Sequence, residues 1–240
     1  MPGRGTDTGD GRWFSGTALP TLRAAHAELR WLLDRGYPLD PALAFVGGHH
    51  QLAARQREAL RRATASTAQA AARAASRLPL SAVRDGPLLL DGLNLIITLE
   101  TASDGGLLVR GDDGVVRDLA GLRGSYRPIP ATDAALAALG DALQELRAPA
   151  VGILLDAPVS NSGELRKRIL ARSAEWRIPI DVRLVPDADP VLASGARIVT
   201  ADSVVLDRAA GWFDLGSWIV GTRMPDARVV DLAGGRDAGD

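Results

Sequence analysis

Four short apolar runs in this chain end in, or run directly into, an aspartate. Asp91 closes PLLLD, Asp156 closes VGILLD, Asp189 follows DVRLVP together with Asp187, and Asp202 follows RIVTA. A single aspartate after a strand is ordinarily a helix cap or a turn former. Four in succession have a second use. In an open parallel sheet the functional crevice lies outside the carboxyl ends of the strands, so four strand ends can bring four carboxylates to one rim. Like charges held a few ångströms apart repel and raise one another's pKa, and a hard divalent cation offsets that repulsion. Mg²⁺ or Mn²⁺ suits such an all-oxygen donor set. The chemistry to expect is attack of an activated water on a phosphodiester, which requires neither histidine nor cysteine.

The composition agrees. Cysteine is absent, which excludes thiolate nucleophiles, disulfides and cysteine metal sites. The three histidines, His26, His49 and His50, all lie in the first quarter, so anything later in the chain works without an imidazole. The formal charge is -1, which carries no global signature of nucleic-acid binding, although local basic patches are compatible with it. No stretch reaches the ~18 apolar residues of a membrane span. Residues 1–18 lack the basic-then-apolar order of a signal peptide. The expectation is a cytoplasmic protein without a membrane partner.

The elements that must position the acids fall into two groups. From 19 to 78 the periodicity is helical: Leu22, Leu29, Leu32 and Leu33 share a face, DRGYP ends that helix, and a second helix runs from Pro41 to Val46 with Asp40 as its cap. GGHH interrupts, and the segment from Gln51 resumes as one long or two consecutive helices. From 79 to 232 the pattern changes to short apolar strands alternating with helices near 132–147, 161–176 and 203–210, an α/β arrangement with a parallel sheet. LLVRGDDGVVRDL breaks the alternation as an inserted hairpin with an Asp-Gly turn. Residues 1–18 and 233–240 are Gly, Asp and Arg rich and read as a disordered arm and tail.

DGLNLI resembles the first-strand motif of PIN-like and NYN-like nucleases, and DADPVLASGARIVTADSVVLDRA resembles their closing half, with a T-x-D at the end of a strand. This resemblance implies a three-layer PIN-like fold and an RNA substrate. It makes Asp91, Asp189 and Asp202 metal ligands for Mg²⁺ or Mn²⁺, with Asn94 and Thr200 beside them as expected substrate contacts. These nucleases usually place a further acid on the helix after the first strand. Glu100 is the nearest candidate but lies nine residues beyond Asp91, and Asp156 is the alternative fourth carboxylate. The whole chain also resembles a two-part prokaryotic family, a helical domain of unknown function 434 followed by a PIN-like domain of unknown function 5616. LLDRGYPLDPALAFVGGHHQLAARQREALRR carries the first part, and DGLN, LRGSYRP, LLDAPVSNSGEL and TADS carry the second.

Other groups have two readings each. Ser160, Asn161 and Ser162 before a helix form either a capping box with Glu164 or an anion site for a phosphate, with Arg166, Lys167 and Arg168 close by. Arg123, Tyr126 and Arg127 in LRGSYRP form either an ordinary surface loop or a platform that stacks a base and pairs a phosphate. Arg55, Arg57, Arg61, Arg62, Arg73 and Arg77 form either a phosphate-binding face or a solvated helix surface. His49 and His50 suit a loop or cap better than a metal, because adjacent residues point different ways on a helix. Asp207, Asp214 and Asp231 read as structural. Against the ribonuclease expectation stand two others: a catalytically degenerate PIN-like module that only binds RNA or protein, and a Toprim-like phosphoryl-transfer domain suggested by PDADP. Toprim domains place a glutamate where Asp91 stands.

Overall fold

Leu88, Leu90, Val151, Ile153 and Leu155 pack in one buried cluster, and Leu89, Leu154 and Ile198 pack in another on the opposite face. That period of two is the signature of strands covered on both sides. The structure, a computed structural model, describes residues 3–122 and 124–233. Strands β1 (Leu88–Asp91), β4 (Val151–Asp156), β5 (Ile180–Val185) and β6 (Ile198–Val199) form one parallel sheet in the order β5-β4-β1-β6. Helices α6 (Gly92–Ser103), α7 (Pro130–Glu145), α8 (Ser162–Ser173) and α11 (Leu215–Arg223) contribute to the first cluster, and α9 (Asp189–Ala193) and α10 (Ser203–Leu206) to the second. The chain moves outward from β1 through β4 to β5, then returns to place β6 on the other side of β1. The strand order therefore reverses between β1 and β6, where a crevice is expected.

The expected hairpin is present as β2 (Leu107–Arg110) and β3 (Val116–Asp118), paired antiparallel. It belongs to a second, three-stranded sheet completed by β7 (Arg228–Asp231), which runs parallel to β2.

The N-terminal helices are α1 (Asp10–Trp13), α2 (Leu19–Leu33), α3 (Leu39–His49), α4 (Ala54–Ala63) and α5 (Thr67–Ser76). The segment after Gln51 is thus two helices, the second capped by Ser66, whose hydroxyl accepts the amide of Gln69. GGHH does not interrupt α3, which continues through Gly47 and Gly48 to His49. The helical module shares a core with the second sheet: Leu22, Leu29, Leu43 and Leu60 pack with Leu107, Val109, Leu119 and Leu232.

The expectation of a disordered N-terminal arm is corrected for residues 3–18. Phe14 joins that shared core, and buried Asp10 pairs with Arg55 at 2.9 Å. Ionic anchoring of this kind leaves no apolar periodicity to read. Of the expected tail, residues 234–240 lie outside the described residues.

Candidate functional site

β1 ends at Asp91 because the chain turns there into α6, and Asp91 is the helix N-cap: its carboxylate accepts the amide of Asn94 at 3.3 Å. Its other oxygen accepts the hydroxyl of buried Thr200 at 2.8 Å. Asp202 caps α10 and accepts the amides of Val204 and Val205. Asp156 ends β4 and accepts the amide of Ala188 at 2.8 Å, which ties β4 to the loop before α9. Asp189 opens α9 and is exposed.

All four acids line one cleft of about 220 Å³, together with Asn94, Asp118, Arg62, Leu93, Ile97 and Tyr126. The sheet reversal between β1 and β6 lies directly beneath Asp91 and Asp202. Burial pushes the Asp91 carboxyl up to about 7; hydrogen bonds from Thr200 and Asn94 oppose this, and the charges of Asp202 and Asp189 add to it. Desolvation together with Asp202, Asp187 and Asp156 raises Asp189 to about 6. The acids are therefore close enough to feel one another, as like charges on one rim do. Their oxygens do not close into a tight cage: among the described residues, the group that brings three ligand atoms within 4.8 Å of one another is Glu28, His49 and His50, elsewhere on the molecule. A wider all-oxygen rim fits a hard cation that retains waters, since Mg²⁺ commonly binds proteins through one or two carboxylates.

Asp118 is a fifth acid that the strand-end count did not include. It ends β3, is buried, and accepts Thr98 Oγ1 at 3.2 Å and the amide of Ala120 at 2.8 Å. Its signal in VVRD was weaker than the others, because Arg117 separates the valines from the aspartate. Only the docking of the inserted hairpin on α6 brings it to the cleft.

Several expected substrate contacts are committed to holding the fold. Asn94 lines the cleft but its Oδ1 accepts the amide of Ala201 at 3.0 Å, and Thr200 is engaged with Asp91 and with the amide of Asp202. Asn161 caps α8 in the left-handed region, φ 61°, and makes no side-chain cap; its amide donates to the Tyr126 carbonyl at 2.7 Å. Ser162 is buried and donates to the Val159 carbonyl, and Ser160 donates to the Gly124 carbonyl. The Ser160–Ser162 segment is thus not a capping box. It staples the 124–126 loop. Arg166 donates to the Val182 carbonyl, Arg168 pairs with Asp133 and Lys167 with Glu164.

Tyr126 is no exposed stacking platform either: it is 2% exposed and its hydroxyl donates to Glu100 at 2.6 Å. Glu100 is fully buried, pairs with Arg4 at 2.8 Å and also accepts the hydroxyl of Thr132. It is absorbed in this network and does not line the cleft. Arg127 is exposed and outside the cleft, and Arg123 lies outside the described residues. The arginines of the helical module are mostly paired within the protein: Arg55 with Asp10, Arg57 with the Leu52 and Gly47 carbonyls, Arg61 with Asp40, Arg73 with Asp113 and Asp207, and Arg77 with Asp214. Arg62, paired with Glu58, is the one of the six that reaches the cleft. Asp214 caps α11 through the amide of Ser217, in keeping with its structural reading.

The model of a family described as a domain of unknown function (DUF5616) matches residues 80–218, and that of a family described as a protein of unknown function (DUF434) matches residues 21–75. An uncharacterized protein of Methanocaldococcus jannaschii is 31% identical over 186 residues, 78% of this chain and 89% of the relative. No solved structure matches. Among the described residues, no helix is long and apolar enough to cross a membrane.

Proposed function

This chain belongs to the DUF5616 family and carries a DUF434 match ahead of it; from that premise we propose that it is a Mg²⁺- or Mn²⁺-dependent ribonuclease whose centre is the rim of Asp91, Asp156, Asp189 and Asp202. The observation that carries the reading is the convergence of these four acids, with Asp118, on one cleft beside the strand reversal. Two of them have their ordinary acidity suppressed there, Asp91 to about 7 and Asp189 to about 6. Suppressed acidity in a cleft is a common property of functional sites. Asp91, Asp189 and Asp202 would hold the cation, and Asp156 and Asp118 would complete the negative wall. When bound, the ion supplies charge stabilisation and an acidified water. Thr200 and Asn94 orient the carboxylates of Asp91 and the backbone of Asp202. The PIN-like identity of the sheet and the choice of RNA as substrate come from the sequence resemblance.

The decisive experiment is cleavage of single-stranded and structured RNA with Mn²⁺ or with a chelator, by the intact chain and by its Asp91→Asn and Asp202→Asn variants. The expected result is cleavage that needs the metal and falls by two orders of magnitude or more in both variants. Equal cleavage in chelator would end the proposal.

One observation favours a second reading. Both oxygens of Asp91 already accept hydrogen bonds, and the rim oxygens do not close into a three-ligand set. A non-catalytic module that binds RNA would show no cleavage, and its affinity for RNA would rise when Asp91 or Asp202 is neutralised.

A further inference from the structure

α3 packs against α2 and ends at His49, with His50 as the residue that leaves the helix. On a continuing helix two adjacent side chains diverge by about 100°. Here both imidazoles nonetheless reach the same neighbour, Glu28 on α2. His50 Nε2 lies 2.8 Å from Glu28 Oε2, and the two imidazole rings meet edge to face with centroids 4.9 Å apart. One ligand atom from each of Glu28, His49 and His50 lies within 4.8 Å of the other two.

The geometry points to a Zn²⁺ site at Glu28, His49 and His50, with a water in the fourth position. Two imidazoles and one carboxylate are a borderline donor set that suits Zn²⁺ and other late first-row ions, whereas Mg²⁺ and Ca²⁺ prefer oxygen alone. A tetrahedron with bonds of about 2.0–2.1 Å has edges of about 3.3 Å. The His50–Glu28 spacing of 2.8 Å already lies near that edge. The ligands are also available. No described residue hydrogen-bonds His49, whose contact is the ring of His50, and the His50–Glu28 bond is replaced by two metal bonds. Two of the three ligands are exposed and the third, His50, is half-buried, which leaves a path for the ion. Bound there, Zn²⁺ pins the end of α3 to the middle of α2. This site is separate from the carboxylate rim and does not depend on the ribonuclease reading.

The test uses the intact chain, freed of any histidine tag, in equilibrium dialysis against ZnCl₂ and in CoCl₂ titration followed by visible absorption. One tight Zn²⁺ per chain is expected, with the intense Co²⁺ bands of a four-coordinate site. His49→Gln and Glu28→Gln, both at exposed positions, should weaken binding at least about tenfold and abolish those bands, while Asp202→Asn at the rim leaves them unchanged. Circular dichroism checks that each variant is folded. Bands that persist in His49→Gln, or that vanish in Asp202→Asn alone, overturn the assignment.

Discussion

Thr200 donates its hydroxyl hydrogen to Asp91 Oδ2 at 2.8 Å, and the same hydroxyl oxygen accepts the amide of Asp202 at 3.0 Å. One buried hydroxyl thus links the acid that ends β1 to the acid that follows β6, across the point where strand order reverses. Threonine two residues before the aspartate is what permits this. Its β-branched side chain suits the strand end, and its hydroxyl is both donor and acceptor.

Thr200→Val keeps the shape and removes the link, leaving one oxygen of a buried carboxylate without its donor. The expected cost is about 1–3 kcal/mol in urea unfolding. It should be larger at pH 8, where Asp91 is charged and needs the donor, than at pH 5. Thr200→Ser, which keeps the hydroxyl, should retain most of the stability. Equal losses in the two variants would show that packing of the methyl group, and not the bridge, is what matters.

Asp91 itself makes stability depend on pH. Its folded pKa of about 7 stands above the ordinary 3.8, so near neutrality the folded chain holds a proton that the unfolded chain has released. Stability therefore falls as pH rises from about 4 to about 7 and levels off above that. At 1.36 kcal/mol per pH unit the full effect is on the order of 3–5 kcal/mol. Asp91→Asn does not titrate. The stability of this variant minus that of the wild type should grow by a similar amount between pH 4 and pH 8, measured by chemical denaturation without divalent ions. A constant difference would contradict the raised acidity constant.

The acids at the strand ends were legible because each is a local signal, an apolar run closed by aspartate, and the fold then had only to align the strands. What was not legible depends on long-range contacts. Asp118 carries only a broken form of that signal, with Arg117 before it, and its place depends on where an inserted hairpin docks. Tyr126 looked like a loop residue between glycine and proline, and its burial follows from Glu100 reaching it across 26 residues of sequence. The N-terminal arm is mostly polar residues and glycine, with Trp13 and Phe14 too few to give a period, and Arg4 and Asp10 anchor it by charge. The alternation of strands and helices gave the parallel sheet, while the pairing of β7 with the hairpin left no periodic trace.

Arg117, next to Asp118 on β3, is buried and holds the rim from behind. Its guanidinium donates to Asp113 at 2.9 and 2.6 Å and to the Ala201 carbonyl at 2.7 Å, one residue before Asp202. Burial alone would raise Asp113, but Arg117 and Arg73 outweigh it and bring its carboxyl down to about 2. Arg117→Met leaves a buried carboxylate with one cation, Arg73, and the Val115 amide and should cost about 3–5 kcal/mol. Because the folded pKa of Asp113 is depressed, its contribution is present above pH 4 and lost as pH falls toward 2. The variant should lose part of that acid sensitivity. Urea unfolding at pH 3 and pH 7 would reveal it as a smaller penalty at the lower pH.

Gly92, the second residue of DGLN, sits where α6 crosses β4. A Cβ there would lie 2.6 Å from Ile153 Cγ2, 2.7 Å from Leu155 Cδ2 and 2.8 Å from the Leu154 carbonyl oxygen. Gly92→Ala should destabilise by about 1–3 kcal/mol through overpacking, because the carbonyl belongs to a central strand and cannot move aside. The helix it displaces is capped by Asp91, so on the proposed reading, in which the rim holds Mn²⁺, binding of that ion should weaken in parallel. Wild-type stability together with wild-type metal affinity would show that the sheet yields at this point.

Arg4 anchors the N-terminal arm against a carboxylate that no water reaches. Its guanidinium lies 2.8 Å from Glu100, stacks 5.0 Å from the centre of the Tyr126 ring and donates to the Arg127 carbonyl at 2.6 Å. Burial raises the pKa of Glu100, and the hydroxyls of Thr132 and Tyr126, together with Arg4, oppose that rise. Arg4→Ala removes the cation that pairs with Glu100 and leaves a fully buried acid, a change that typically costs 3–5 kcal/mol. The carboxyl can escape by taking up a proton, so the penalty should be smaller at pH 5 than at pH 8. Glu100→Gln in the same chain removes the charge that needed a partner and should recover a large part of the loss, which a double-mutant cycle by urea unfolding measures directly. Absence of recovery would place the value of Arg4 in its contacts with Tyr126 and the 127 carbonyl instead. Because Tyr126 lines the cleft, Arg4→Ala should in that case loosen the wall beside Asp156, seen as faster amide exchange at residues 124–127.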